Sequence, residues 1–259
     1  SLAGLEGARG LKRLELNAVP VNGTGLTALA SSDSLHFLEL AGSRFSNAAA
    51  QALPVLKGLW RLTLSGTKIT DEGVSSLAKL TELRELFLSE CELTGAGFEA
   101  LRPLTHLRQL KLECVPIYSE FLIHIAALES LESIEITGTC ENPEMRPKIT
   151  DADLAVLAKM PNLRRLRLSG TDITGSGFGV EDGFRSLRIL HLDRCPVTDD
   201  SVRAVLAMEG VLELELGMTS ITDATLNLLG RGTKLRTLGV IETGVTEERV
   251  GEERKHLNS

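Results

Sequence analysis

Aromatic residues and cysteines are scarce in this sequence, and each scarcity excludes a class of protein. Seven Phe, one Tyr and one Trp make up 3% of the 259 residues, so aliphatic side chains must fill most of the core. Four scattered cysteines do not make the disulfide framework of a small secreted domain. No apolar run approaches the ~18 residues that cross a bilayer. The formal net charge of −7 disfavours a general nucleic-acid binder.

Motifs for catalysis and metal binding are also lacking. No strand or helix carries two histidines, and neither a C-x-x-C pair nor a G-x-S-x-G elbow occurs. His191 and Asp193 fall close together, and Ser169 lies 24 residues before Asp193, but this alone is too little for a catalytic triad. We therefore expect no enzyme activity, no metal and no cofactor.

What the sequence does contain is one repeating unit. Residues 59–79 read LWRLTLSGTKITDEGVSSLAK. The L-x-x-L-x-L alternation over 59–64 predicts a short, half-buried strand. Thr70 followed by Asp71 predicts a helix N-terminus, with a threonine N-cap and an acidic first turn that the helix dipole favours.

The unit recurs along nearly the whole chain. Its first residue, column 1, falls at Leu11, Leu35, Leu59, Leu83, Leu107, Leu131, Leu163, Leu187, Val211 and Leu235. Eight of the nine intervals are 24 residues, and the one from 131 to 163 is 32. Columns 4, 6 and 11 are apolar in every unit. We therefore predict ten parallel strands that start at or near these residues, with helices on the opposite side.

This pattern resembles that of leucine-rich repeat proteins. Column 9 mostly carries Thr or Cys, as at Thr67 and Cys91, where a small hydroxyl or thiol would bond backbone groups of the turn. The 24-residue length and the T-D continuation resemble bacterial GALA-like repeats and the cysteine-containing repeats found with F-box proteins. The resemblance implies an α/β solenoid, a curved horseshoe with strands on the concave face and helices on the convex face. It also implies a recognition module, as in ligase subunits and secreted bacterial effectors.

The resemblance predicts a single array over residues 1–259. A partial repeat occupies 1–10, ten repeats occupy 11–250, and a polar tail occupies 251–259. The insertion at 141–148 contains two prolines and mixed charge, so it is predicted to be an exposed loop. Because a solenoid needs its end faces covered, we expect the array to be a fragment of a larger protein.

Three G-x-G pairs could suggest a phosphate-binding loop. They occupy 23–25, 95–97 and 175–177, the same two columns of three different repeats. They lack the third glycine and the acidic partner of a dinucleotide site. We interpret them as glycines at helix starts.

An aromatic cluster is predicted on the outward face of the sheet. Strand alternation sends columns 3, 5 and 7 outward and leaves column 2 at the edge. Phe37, Trp60 and Phe87 occupy such columns in three consecutive repeats, bordered by Arg61 and Arg84. An exposed cluster of this kind favours a binding site, and Trp is enriched among hot spots. The alternative is that long neighbouring side chains cover the rings and nothing binds.

A second patch on the same face is rich in arginine. Arg167 and Glu135 share column 5 on adjacent strands, so a cross-strand ion pair is predicted. The patch is either a charge ladder that satisfies itself or a site for an acidic or phosphorylated peptide. The predicted partner-binding residues of the whole face are Phe37, Trp60, Arg61, Arg84, Phe87, Lys111, Arg165, Arg167 and His191.

The predicted function is recognition of a protein partner on the concave face. One alternative is binding of a carbohydrate or other small ligand, with Trp60 as a stacking platform. The other is a self-associating scaffold: the helix over 121–128 is apolar on more than one face, and with the 141–148 loop it would contact a second copy or a missing domain. Unpaired cysteines without cysteine-rich caps favour the cytoplasm, and the resemblance leaves a secreted effector open.

Overall fold

The computed structural model describes residues 2–5, 7–19, 25–29, 32, 34–229 and 234–248. It contains one ten-stranded sheet in which the order of the strands follows the chain, and every pair is parallel. The strands are β1 Arg13–Glu15, β2 Phe37–Glu39, β3 Arg61–Thr63, β4 Glu85–Phe87, β5 Gln109–Glu113, β6 Ser133–Thr137, β7 Arg165–Arg167, β8 Ile189–His191, β9 Glu213–Glu215 and β10 Thr237–Gly239. Each strand begins two residues after its predicted first residue, so the predicted number, direction and register are confirmed.

Pairing between strands keeps identical columns side by side. Leu62 of β3 pairs with Leu38 of β2 and with Leu86 of β4, all in column 4. Column 4 and column 6 side chains point into the core, and both Leu62 and Leu64 are fully buried. The core therefore forms a continuous layer of aliphatic side chains, which is less complete at the ends, where Leu238 is only half-buried.

Short helices return the chain from one strand to the next. The α-helices are α1 Asn47–Ala50, α2 Asp71–Leu77, α3 Gly95–Ala100, α4 Ser119–Ala126, α5 Leu154–Leu157, α6 Val202–Leu206 and α7 Asp223–Leu226. Single 3-10 turns are Ala3–Leu5, Leu26–Leu29, Leu53–Val55, Pro143–Met145, Asp151–Asp153 and Ser176–Gly179. Consecutive helices pack against one another, as α1, α2 and α3 do. Repeat seven, whose sequence is rich in glycine here, has the 3-10 turn Ser176–Gly179 in place of an α-helix.

Some sequence predictions fall outside the described residues. The helix start predicted at 22–23 and the polar tail at 251–259 both lie there. The division into a partial repeat at 1–10 and ten full repeats stays a prediction.

The Thr-Asp step joins consecutive repeats, a role that the sequence analysis missed. Asp71 begins α2, but its carboxylate accepts a hydrogen bond from the Thr94 N–H of the next repeat, at 2.8 Å, and another from the Thr94 hydroxyl. Thr70 occupies the predicted N-cap position without capping α2; its N–H donates to Asn47 Oδ1, at 2.9 Å. The acidic residue is therefore held mainly by hydrogen bonds between repeats, not by the helix dipole alone.

This contact recurs along the array and explains the glycine pairs. The same two bonds join Asp151 to Thr174, Asp199 to Thr222 and Asp223 to Thr246. A Cβ on Gly97 would collide with the Asp71 carboxylate, and one on Gly177 would collide with the Asp151 backbone. The second glycine of the pairs at 95–97 and 175–177 thus makes room for the acidic residue of the preceding repeat, whereas a Cβ on Gly25 would collide with Leu2.

The turn after nine of the ten strands contains a left-handed residue in column 8, and Gly138, after β6, is the exception. Positive φ angles occur at Ala18, Gly42, Gly66, Glu90, Cys114, Gly170, Arg194, Met218 and Glu242. Because most of these residues are not glycine, this conformation could not be predicted from the residue types. Column 9 side chains form hydrogen bonds with backbone groups of the turn, as predicted. The Thr67 hydroxyl donates to the Leu64 carbonyl at 2.6 Å, and the Cys91 thiol donates to the same oxygen at 3.4 Å. Burial raises the pKa of the Cys91 thiol to about 12.

The insertion at 141–148 is an exposed loop around the 3-10 turn Pro143–Met145, which confirms the loop prediction. The Lys148 N–H donates to the Ile117 carbonyl at 2.7 Å and attaches the loop to repeat five. In the same repeat, α4 buries one apolar face and leaves Ile123 62% exposed.

Candidate functional site

Five of the predicted binding residues lie together on the outward face of β2, β3 and β4. We call this cluster the aromatic patch: Phe37, Trp60, Arg61, Arg84 and Phe87. Phe37 meets the Trp60 ring edge-on, with centroids 6.4 Å apart. The guanidinium carbon of Arg84 lies 4.7 Å from the Trp60 centroid, and that of Arg61 lies 4.6 Å from the Phe87 centroid. Both arginine–ring pairs are at cation–π distance, so the side chains of the patch pack against one another.

Trp60 is held in a stack that the sequence analysis only partly foresaw. His36 lies parallel to the indole, with centroids 4.5 Å apart and planes 4° apart. Because His36 and Arg84 come from the repeats on either side of Trp60, they cover opposite faces of its ring. Trp60 remains 37% exposed. A sugar ring would need a free face and would have to displace Arg84. The signal for His36 was available, since it shares column 2 with Trp60 and Arg84.

Lys111 and Arg167 lie further along the sheet, where both approach the same carboxylate. Lys111 Nζ lies 3.1 Å from Glu135 Oε1, and Arg167 Nη1 lies 3.8 Å from that oxygen. The predicted pair between Arg167 and Glu135 is confirmed. Burial alone would lower the pKa of Lys111, but the contact with Glu135 and the charge of Glu113 raise it overall. These two cations are therefore largely satisfied within the sheet.

His191 does not join the catalytic arrangement that its sequence position suggested. His191 Nε2 lies 3.2 Å from Glu213 Oε1, while Asp193 accepts a hydrogen bond from the Ser169 hydroxyl at 3.3 Å. Neither nitrogen of His191 bonds to Ser169 or Asp193. Across the part of the chain that the structure describes, no group of His, Cys, Asp or Glu side chains is placed to hold a metal ion.

Arg165, the remaining predicted residue, lies in a groove along the edge where strands β4 to β8 begin. The groove has a volume of about 430 Å³. We call it the arginine groove, and it is lined chiefly by Arg84, Arg108, Arg164, Arg165 and Arg188, with Glu85 and Glu132. Arg165 belongs to the arginine-rich patch predicted from the sequence, but the groove was not predicted and extends back to Arg84 in repeat four. No helix among the described residues has the length and apolar character to span a membrane.

A comparison with known protein families agrees with the repeat architecture. A family model described as Leucine Rich repeat matches residues 61–78 and 159–178. Among solved structures, the chain is similar to internalin C2 of Listeria monocytogenes, with 17% identity and a TM-score of 0.48, over 93% of this chain and 84% of that chain. It is also similar to the internalin inlF of the same organism, with 18% identity and a TM-score of 0.47, over 95% of this chain and 84% of that chain. The repeat matches and the ten parallel strands in one register show that the chain is a leucine-rich repeat protein.

Proposed function

We propose that the chain recognises a protein partner on the concave, outward face of its sheet, with the aromatic patch at the centre of the contact. The observation that carries this proposal is the fixed and partly exposed Trp60. Its ring is held between His36 and Arg84 and still exposes 37% of its surface. A rigid aromatic anchor loses little conformational freedom on binding, and such anchors dominate the energetics of interfaces.

The charges around the anchor suit a protein surface. Arg61 is fixed by an ion pair with Glu85, at 3.2 Å, as well as by its contact with Phe87. Arg84 has no carboxylate within ion-pair distance among the described residues, so its remaining donors are available to a partner. A partner would therefore place an apolar group against the edge of Trp60 and an acceptor against Arg84.

Self-association through repeat five is a second candidate, favoured by one observation. Tyr118 and Ile123 are 42% and 62% exposed, and Tyr118 packs edge-on against Phe121 at 5.3 Å. These side chains form an apolar area on the helix side, away from the aromatic patch. A second copy of the chain would cover it. The binding of a small ligand has less support, because both faces of Trp60 are occupied.

Binding of a partner captured from the source lysate would test the main proposal. The affinity of that partner would be compared for the wild type, Trp60→Ala and Ile123→Ala. We expect Trp60→Ala to weaken binding by about 2 kcal/mol, or roughly 30-fold, because a hot-spot side chain is truncated. We expect Ile123→Ala to bind normally, since it truncates an exposed apolar residue on the other side of the array.

The free energy of unfolding of the same variants shows whether a loss of affinity comes from a lost contact or from a destabilised fold. Trp60→Ala should lower the free energy of unfolding by about 1 kcal/mol, less than the ~3–5 kcal/mol of a fully buried aromatic residue. Partner affinity that is unchanged in Trp60→Ala would refute the aromatic patch as the site. Sedimentation of the wild type and Ile123→Ala tests the second candidate, which requires a dimer that Ile123→Ala dissociates.

A further inference from the structure

The outward face of the sheet separates its charges across the strands. The edge where strands begin, column 2, carries the cations Lys12, Arg84, Arg108, Arg164, Arg188 and Arg236. Columns 5 and 7, further along each strand, carry the carboxylates Glu15, Glu39, Glu113, Glu135, Asp193 and Glu215. The exceptions are Glu132 in column 2 and the cations Lys111 and Arg167 in column 5, which both approach Glu135. Column 2 is thus cationic in six of the ten repeats, although the chain has a net charge of −7.

The arginine groove follows this line and has a surplus of positive charge. Five arginines and two glutamates line it, which leaves a net charge of +3. The two glutamates are already engaged, Glu85 by Arg61 and Glu132 by Arg108. Arg164 and Arg165 are exposed and have no ion pair within the described ranges. Their charges must be met by solvent or by a ligand.

Arg188, like Arg84, also has no carboxylate partner among the described residues. Its Nη1 donates to the backbone carbonyls of Leu187, at 2.7 Å, and Arg185, at 3.2 Å. These neutral acceptors fix the guanidinium at the groove while leaving its charge uncompensated. The cationic surface is therefore partly ordered before any ligand binds.

We propose that the arginine groove binds an extended acidic segment of a partner protein. The proposal rests on the protein-recognition function above and specifies the chemistry of the partner. Four strand spacings of ~4.8 Å separate β4 from β8, so the groove is about 19 Å long. An extended peptide advances ~3.3 Å per residue, which gives about six residues in the groove. Guanidinium groups pair with carboxylates through two parallel hydrogen bonds.

The distribution of the arginines favours a peptide over other anions. A single phosphate could meet only one or two of the guanidinium groups, because the groups are spread along the groove. Glu132 interrupts the line between Arg108 and Arg164 and would repel an unbroken polyanion such as a nucleic acid. The fit is better for two acidic pairs separated by a neutral residue. At the β4 end, Arg84 joins the groove to the aromatic patch, so one partner can occupy both.

Fluorescence anisotropy with a labelled peptide tests this inference. The probe is a fluorescein-labelled Glu-Glu-Gly-Glu-Glu-Gly peptide, and its matched control has Gln in place of every Glu. We expect binding of the first peptide that weakens with added salt, and no binding of the second. The double variant Arg164→Gln/Arg165→Gln should weaken binding by about tenfold or more, because it removes two unpaired charges.

A matched variant controls for net charge. Arg102→Gln/Arg203→Gln removes two exposed arginines outside the groove and should bind the acidic peptide as the wild type does. The probe peptide has no apolar side chain for the aromatic patch, so a failure here is distinguishable from a failure of the aromatic patch. The inference is overturned if the acidic peptide does not bind, if both double variants bind it equally, or if a DNA oligonucleotide or heparin fragment of equal charge binds more tightly.

Discussion

Glu215 is a carboxylate whose charged form is disfavoured by its surroundings in the folded protein. Burial raises its pKa, and the nearby charge of Asp193 raises it further, while His191 and Arg167 compensate only in part. A raised pKa means that the folded state binds the proton more readily than the unfolded state does. The free energy of unfolding therefore falls as the pH rises from the ordinary glutamate value through the folded value.

We expect Glu215→Gln to stabilise the protein at neutral pH. The gain should be under about 1 kcal/mol, because the side chain is only half-buried and solvent screens its charge. Urea denaturation at pH 7 and at pH 4 measures the effect, and the gain should shrink at the lower pH as Glu215 itself becomes protonated. Glu181→Gln, at an exposed position, serves as the control. A loss of stability in Glu215→Gln would show that the charged form makes favourable contacts.

At the same scale, the side chains of the aromatic patch were predictable as a group but not in their contacts. Column numbers alone placed Phe37, Trp60 and Phe87 on one face, because strand alternation is a property of the backbone. The stack of His36 on Trp60 and the cation over each ring depend on side-chain rotamers, which the repeat pattern does not specify.

At the scale of secondary-structure elements, the hydrogen bonds between repeats were the hardest feature to predict from the sequence. Asp151 accepts bonds from the N–H groups of Thr174, Gly175 and Gly177 and from the Thr174 hydroxyl. These partners lie more than 20 residues along the chain, so a helix-start motif read locally does not reveal them. Burial alone would raise the pKa of Asp151, but these hydrogen bonds, that of Gly177 first, lower it overall.

Replacement of Asp151 tests the strength of this connection. Asp151→Ala should lower the free energy of unfolding by about 1–3 kcal/mol, because it leaves several N–H donors unpaired. The exposed Asp172 lies in the adjacent repeat, and Asp172→Ala should cost no more than about 0.5 kcal/mol. Urea denaturation of both variants at pH 7 measures the difference.

The pH dependence of the same variant has a definite sign. A depressed pKa stabilises the folded state above the unfolded aspartate pKa, and this contribution is lost as the pH falls through the folded value. The difference in free energy of unfolding between the wild type and Asp151→Ala should therefore become smaller below about pH 4. A gap that widens in acid would contradict the assignment of the hydrogen bonds to the charged carboxylate.

The strands were predictable and the helices less so, for one physical reason. A strand is specified by columns 4 and 6, whose side chains must be apolar in every repeat because they face the same core layer. The convex elements need only return the chain, so α4 and the 3-10 turn Ser176–Gly179 satisfy the same requirement with different lengths. Repeat periodicity therefore predicts the sheet residue by residue but only the presence of a connection behind it.

At the scale of the whole molecule, the arginine groove could not be predicted from any single repeat. Its five arginines belong to columns 2 and 3 of four repeats, and the insertion at 141–148 breaks the regular interval between them. Only the stacking of strands in register turns these scattered residues into one line. The surface charge of a solenoid is thus predicted by comparing the same column in successive repeats, while its fold is predicted from the residue pattern within one repeat.

The dependence of each repeat on its neighbours predicts a gradient of stability along the array. Leu86 and Leu110 are fully buried in column 4, with a strand on each side, whereas Leu238 in β10 is half-buried and pairs only with β9 among the described strands. Leu86→Ala and Leu110→Ala should each lower the free energy of unfolding by about 2–5 kcal/mol.

Leu238→Ala should cost about 1 kcal/mol, because less apolar surface is lost and the end repeat can open without the rest. Urea denaturation compares the three variants, and Leu14→Ala, at the half-buried opposite end, provides a matched control that should resemble Leu238→Ala. Hydrogen exchange adds an independent measurement: the amides of β4 and β5 should exchange more slowly than those of β10. Equal losses at Leu86, Leu110 and Leu238 would mean that the array unfolds as a single unit and that its end repeat is as firmly held as its centre.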